Sequence, residues 1–311
     1  MNSPTRPDTG ALGAGTVYTL LAAAGFAAVS ILTSLATAAG LSLATVLAWR
    51  YTLSAVVLVT WVGAKQYQRI RPNEMLQLVA LGGGGQALLV FVALSALAYI
   101  PAATLAFLFY TYPAWVALVQ AVRGAERLDG RRALALALSF AGIGVMVGLP
   151  ALSADAAAGA SAAMPALDWR GVALALGAAM IYGAYIPMMR ALAKDHPVAP
   201  VSAYGKIGSA LAFLVLAVSD RSFTYQMSLS TWGGIAALTI FSTVLPGVFF
   251  LMGLVRLGPV RTAIVSTVEP FLTALLGVVV LSQSLTLPTV MGGALIVAAV
   301  VLLQFKRDRV A

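Results

Sequence analysis

The sequence predicts an all-α integral membrane protein with about ten transmembrane helices, laid out as two inverted five-helix repeats. Three observations predict this: an oily composition, apolar runs that recur from end to end, and one pattern written twice. Of the 311 residues, 61% are hydrophobic and 9% charged, against about 25% charged in ordinary soluble domains. Mean hydropathy is +0.95. The apolar runs are about 20 residues long, enough to cross about 30 Å of hydrocarbon. The solvent of this chain is lipid.

Hydropathy, with Gly, Pro and charged residues as punctuation, places the helices in order. The first five fall at 14–38, 43–64, 74–98, 101–122 and 131–149. The second five fall at 170–189, 198–219, 232–255, 260–281 and 287–305. Residues 1–150 thus form a first five-helix repeat, 151–169 a small-residue-rich external linker, and 170–311 a second, inverted repeat. The first run follows the polar segment Met1 to Thr9, and apolar sequence resumes at Leu41, so it is expected to stay as an anchor rather than leave as a leader. With both termini cytoplasmic, fifteen of the nineteen Lys and Arg fall inside and only Arg170 and Arg221 outside. Arg50 and Lys206 lie within runs.

The repeat appears when Phe91 to Val147 is laid on Phe249 to Leu303. Tyr99-Ile100-Pro101-Ala102-Ala103-Thr104 corresponds to Leu257-Gly258-Pro259-Val260-Arg261-Thr262, and Tyr112-Pro113 to Glu269-Pro270. Glu126-Arg127-Leu128 then faces Gln283-Ser284-Leu285. Five helices is an odd number, so the second copy must enter the membrane from the opposite face, as in many secondary transporters. Charge follows the inversion, because the loop around Glu126 carries four arginines while its counterpart around Gln283 carries no charge.

Ala98-Tyr99-Ile100-Pro101, Tyr112-Pro113 with Ala114 to Gln120, Glu126-Arg127-Leu128, and Glu269-Pro270 with Phe271 to Val280 resemble the EamA-type transporters of the drug/metabolite transporter superfamily. The resemblance covers nearly the whole chain. It implies a ten-helix carrier of the bacterial inner membrane with a central cavity, exporting amino acids, related metabolites or drugs. Gln283 departs from the acidic residue frequent at that place in the family.

Within this frame, Pro113 and Pro270 sit mid-helix at corresponding places. Each deletes a backbone hydrogen bond and frees a carbonyl that hydrocarbon does not solvate. Two readings stand: a site near the midplane, or curvature for packing. Around them Thr104, Leu108, Thr111 and Trp115 repeat at helical spacing, as do Thr262, Ser266, Glu269 and Thr273, giving each helix one more polar stripe that should face inward. Threonine hydroxyls, however, often bond the carbonyl one turn back.

Glu269 stands apart, because a mid-span carboxylate costs on the order of several kcal/mol unless paired, hydrated or protonated. Lys206 reaches nearly the same depth, which allows an ion pair between them, either structural or broken by substrate. Arg50 reads as a snorkelling side chain or as a cavity group. Tyr110, Tyr112, Trp115, Tyr182, Tyr185, Tyr204 and Gln86 lie within runs, where they serve either core packing or the stacking and hydrogen bonding of a substrate. The run Gly82-Gly83-Gly84-Gly85 lacks the Lys-Ser/Thr of a phosphate loop and sits in an apolar span, which suits close helix approach or local flexibility.

Other chemistries are excluded or unsupported. The chain has no Cys and one His, His196, read as a solvated loop residue, with proton coupling as the alternative. No metal or other cofactor is expected. The net charge of +9 sits at the ends of apolar runs rather than in a basic stripe with aromatics, so no nucleic-acid partner is expected. An enzyme would need a nucleophile with a base, a ligand cluster or paired carboxylates. No Walker A sequence is present, so energy should come from gradients. The expectation is a secondary transporter of small molecules in the lipid bilayer, with amino-acid export as the first reading. Lipophilic cations, drugs or a lipid intermediate are the alternative cargo, and the sequence sets no oligomeric state.

Overall fold

A helix that is apolar on every face can be stable only where lipid or other helices surround it. In the computed structural model, which describes residues 9–62, 70–122, 130–149, 167–193, 196 and 198–304, such helices make up the protein. Leu21, Val56, Leu211, Val215, Phe241 and Val279 lie exposed on outward faces, where lipid is their natural solvent.

The helices are α1 (Thr9–Ala38), α2 (Leu43–Val62), α3 (Pro72–Ala80, a π turn Leu81–Gln86, Ala87–Ser95), α4 (Ala102–Phe109 and Tyr112–Val122) and α5 (Gly130–Ile143 with a π turn Gly144–Gly148). There follow α6 (Trp169–Ala193), α7 (Val198–Ser219), α8 (Leu229–Thr239, a π turn Ile240–Val244, then Leu245–Ser266), α9 (Glu269–Leu281) and α10 (Leu287–Gln304). Among the described residues, six of these are long and apolar enough, by length and composition, to cross a membrane, and the other four contain shorter apolar helices. The protein is a multi-pass integral membrane protein of two five-helix halves.

Corresponding helices of the halves run antiparallel wherever they touch. Thr45 on α2 donates to the Ser222 carbonyl just past α7 at 2.6 Å, and further along Tyr51 meets Phe213 at 5.2 Å between ring centres. On α4 and α9, Ala102 N–H donates to Gln283 Oε1 at 3.1 Å, and Phe107 meets Phe271 edge-on at 5.1 Å. On α5 and α10, Arg131 Nε donates to the Leu302 carbonyl at 2.6 Å, while Gly142 lies against Gly292. A two-fold axis in the membrane plane requires these reversed directions; an axis along the normal would make the pairs parallel.

One boundary differs from the sequence reading. No loss of helical backbone separates spans 232–255 and 260–281 at Gly258-Pro259; helix runs to Ser266 and the break comes at Thr267–Val268. The direction still reverses. Gly15, Thr19 and Gly25 of α1 face Arg256, Gly253 and Pro246 in turn, whereas Ala27 and Ile31 face Thr273 and Gly277.

The glycine run of α3 serves close approach. A Cβ on Gly82 would strike the Gly205 backbone, and one on Gly208 would strike the Val79 carbonyl, so α3 and α7 cross backbone to backbone. The Glu126-Arg127-Leu128 motif, residues 151–166 of the linker, Lys194 and both chain ends lie outside the described residues.

Candidate functional site

The site begins with two helix breaks. α4 opens at Tyr110–Thr111 and the α8–α9 path at Thr267–Val268, each shortly before a proline, Pro113 or Pro270. The prolines therefore do not kink continuous helices, as the sequence suggested; each sits in the first turn after a break, where its missing N–H is tolerated. What remains is an orphan carbonyl four residues back. For Pro270 that carbonyl is Ser266, and the Tyr110 hydroxyl lies 2.8 Å from it. The same hydroxyl lies 2.9 Å from Glu269 Oε2. One proton serves two acceptors, so the first half of the chain supplies the donor that the second half lacks.

Aromatic rings extend from this corner. Tyr112 lies 6.0 Å from Tyr110 and meets Tyr182 of α6 edge-on at 4.7 Å. Phe109 stacks on Tyr182 at 5.4 Å, and Tyr185, one turn along α6, stacks on it at 6.3 Å. Tyr185 also lines an open, apolar groove of about 810 Å³ between α3 and α6, together with Gln77, Leu81, Gly84, Gly85 and Met188. Glu269, Ser266, Tyr110, Tyr112, Tyr182 and Tyr185 thus form a continuous group.

Other expected residues stand elsewhere. Thr111 donates to the Leu108 carbonyl at 2.7 Å, a bond within its own helix. It accepts from Trp115 Nε1 at 3.3 Å, and the Trp115 ring turns to Phe140 of α5. Thr104 is buried in the first segment of α4. Tyr204 packs with Ile70, Leu78 and Val201. His196 is not simply solvated: its Nε2 lies 3.4 Å from Glu74 Oε2, beside the Arg71 N–H that Glu74 caps.

The Lys206–Glu269 ion pair that their depths allow is not formed. Glu269 is served by Tyr110, and the Lys206 ammonium sits over the Tyr51 ring at 4.8 Å from its centre, a cation–π arrangement. Arg50 shares that ring at 5.3 Å. It does not snorkel; it is 5% exposed, and its Nε donates to Thr243 Oγ1 at 2.8 Å. Thr243 lies in the π turn of α8 and donates to the Leu238 carbonyl five residues back. Gln86, in the π turn of α3, accepts from Ser209 one turn past Lys206 on α7. Sequence reasoning gave Tyr51 and Thr243 no role. A usable signal existed, since Arg50 and Lys206 are 156 positions apart and the repeat spacing from Pro101 to Pro259 is 158.

The family model described as EamA-like transporter family matches residues 13–148 and again 169–305. A solved crystal structure, described only as that of a protein, is 20% identical, covers 93% of this chain and 96% of its own, and superposes with a TM-score of 0.62; at that identity the likeness concerns the fold. No curated protein matches the chain.

Proposed function

The chain belongs to the EamA-like transporter family, and from that premise we propose that it exports small metabolites, amino acids foremost, across a bacterial inner membrane by alternating access. The observation that carries the reading is the carboxylate of Glu269 held against Tyr110 at a helix break and flanked by Tyr112 and Tyr182. A carboxylate without a cationic partner among the described residues, in that position, suits a substrate ammonium, and the rings suit the apolar part of the same molecule. The halves 1–150 and 170–311, joined by 151–169, are the bodies that rock about this corner, with the breaks as their joints. The positive-inside bias supports cytoplasmic termini.

A second reading has its own support, because one carboxylate amid aromatic rings also suits a lipophilic cation. Proteoliposomes separate the two. Purified protein is assayed for counterflow of amino acids, polyamines, sugars and lipophilic cations, with and without a pH gradient. Amino-acid flux absent from empty vesicles is the expected result. Flux of lipophilic cations alone would replace the amino-acid reading with the second.

A further inference from the structure

We propose that Arg50 and Lys206 form a second binding subsite, one that takes the carboxylate of the transported metabolite. This rests on the carrier reading only for the statement that the carboxylate belongs to a transported molecule. The geometry stands by itself. Both cations address one ring, that of Tyr51, from 5.3 and 4.8 Å. Neither has a carboxylate partner among the described residues: Glu74 faces His196, Asp168 and Asp220 accept from nearby backbone N–H groups, and Glu269 faces Tyr110.

Two like charges held together inside a membrane protein are unfavourable unless something negative joins them. One donor is already waiting. Arg50 is 5% exposed and its Nε is engaged by Thr243, yet its Nη1 is buried with no hydrogen-bond partner. Buried donors of this kind are rarely left unfilled without a function. The half-buried Lys206 meets a ligand first, and Arg50 completes the site when the helices rearrange.

The backbone around the pair is built for such a role in both halves. Arg50 on α2 is bonded to the π turn Ile240–Val244 of α8, and α7 near Lys206 is bonded to the π turn Leu81–Gln86 of α3. These turns are 159 positions apart at their starts, one from the repeat spacing of Pro101 and Pro259. π turns inside α-helices collect at functional sites. One guanidinium nitrogen and one ammonium match the two oxygens of a carboxylate, and inorganic phosphate is the competing anion in the test.

The test is thermal unfolding of the purified protein in detergent against rising 3-phenylpropionate, 2-phenylethylamine or inorganic phosphate, since a ligand of the folded state raises its midpoint. 3-Phenylpropionate, which has a carboxylate and no ammonium, is expected to protect the wild type. Lys206→Met should weaken that protection about tenfold or more, and Arg50→Lys, which keeps the charge and loses the fork, should weaken it as well. Protection by 2-phenylethylamine should survive in both variants. No protection of the wild type by 3-phenylpropionate, protection unchanged in both variants, or protection by phosphate alone would each overturn the proposal. Lys206-dependent protection without amino-acid flux would sink the cargo reading and leave the subsite standing. Amino-acid flux with an unchanged KM in Lys206→Met would do the reverse.

Discussion

The break in α4 and the break before α9 share a backbone and differ in chemistry. Each places two non-helical residues just before a proline, at Tyr110–Thr111 and Thr267–Val268. At the position before the proline the first half carries Tyr112 and the second Glu269. The first break is lined by rings; the second exposes a carbonyl and a carboxylate, and a tyrosine from the first satisfies both. Two matched positions differ, Tyr110 against Thr267 and Tyr112 against Glu269, and together they make a donor half and an acceptor half.

The largest expected effect falls on the residue that breaks the symmetry. Glu269→Gln keeps an acceptor for Tyr110 and removes the charge, and no Lys206 partner is stranded by the change because the two are not paired. Folded yield should stay near wild type while proteoliposome flux falls tenfold or more, on the order of the loss of one charged hydrogen bond. Normal yield with normal flux would remove Glu269 from the mechanism. A large fall in yield would instead restore the buried-pair reading.

The prolines sharpen the comparison with a smaller effect. Pro270→Ala returns an N–H aimed at the Ser266 carbonyl, where it competes with Tyr110, so the hydroxyl is released toward Glu269 alone. Pro113→Ala returns an N–H to the Phe109 carbonyl, which anchors no side chain of the site. Flux per folded molecule should therefore drop in Pro270→Ala and stay closer to wild type in Pro113→Ala. Equal losses would mean that both breaks act only as joints.

Most of this architecture was legible because hydropathy and repeat spacing are properties of the backbone and of whole segments. The ten spans, the inversion and the paired prolines could be read from period and offset. The members of the aromatic corner, Tyr110, Tyr112 and Tyr182 with Glu269, were also readable, since polar groups in lipid have few places to go. What failed were pairings between helices. Depth alone suggested Lys206 with Glu269, but rotation about each axis decides which face a side chain takes, and that is set by backbone contacts such as Gly82 on Gly205. The π turns were hidden for the same reason. An extra residue in a turn shifts every later face by about 100°, and neither Leu81–Gln86 nor Ile240–Val244 announces this in composition.

The smallest expected effect tests whether the halves also brace each other away from the site. α9 ends on Ser282 in the left-handed region, with φ of 52°, and Gln283 N–H returns to the Gly277 carbonyl at 3.0 Å. That closure aims the Gln283 side chain at the start of α4, where its Oε1 takes the Ala102 N–H at 3.1 Å. The first backbone donors of a helix have no partner within it, so a residue of the second repeat caps a helix of the first. Gln283→Ala should cost about 1 kcal/mol, as loss of a cap does. Gln283→Glu should add about 0.3–1 kcal/mol, because a carboxylate at a helix N-terminus also meets the positive end of the helix dipole. Thermal unfolding in detergent at low salt reads both shifts, and flux should be unchanged in either variant. If Gln283→Ala unfolds at the wild-type temperature, water replaces the cap at no cost and the halves are held together by packing alone.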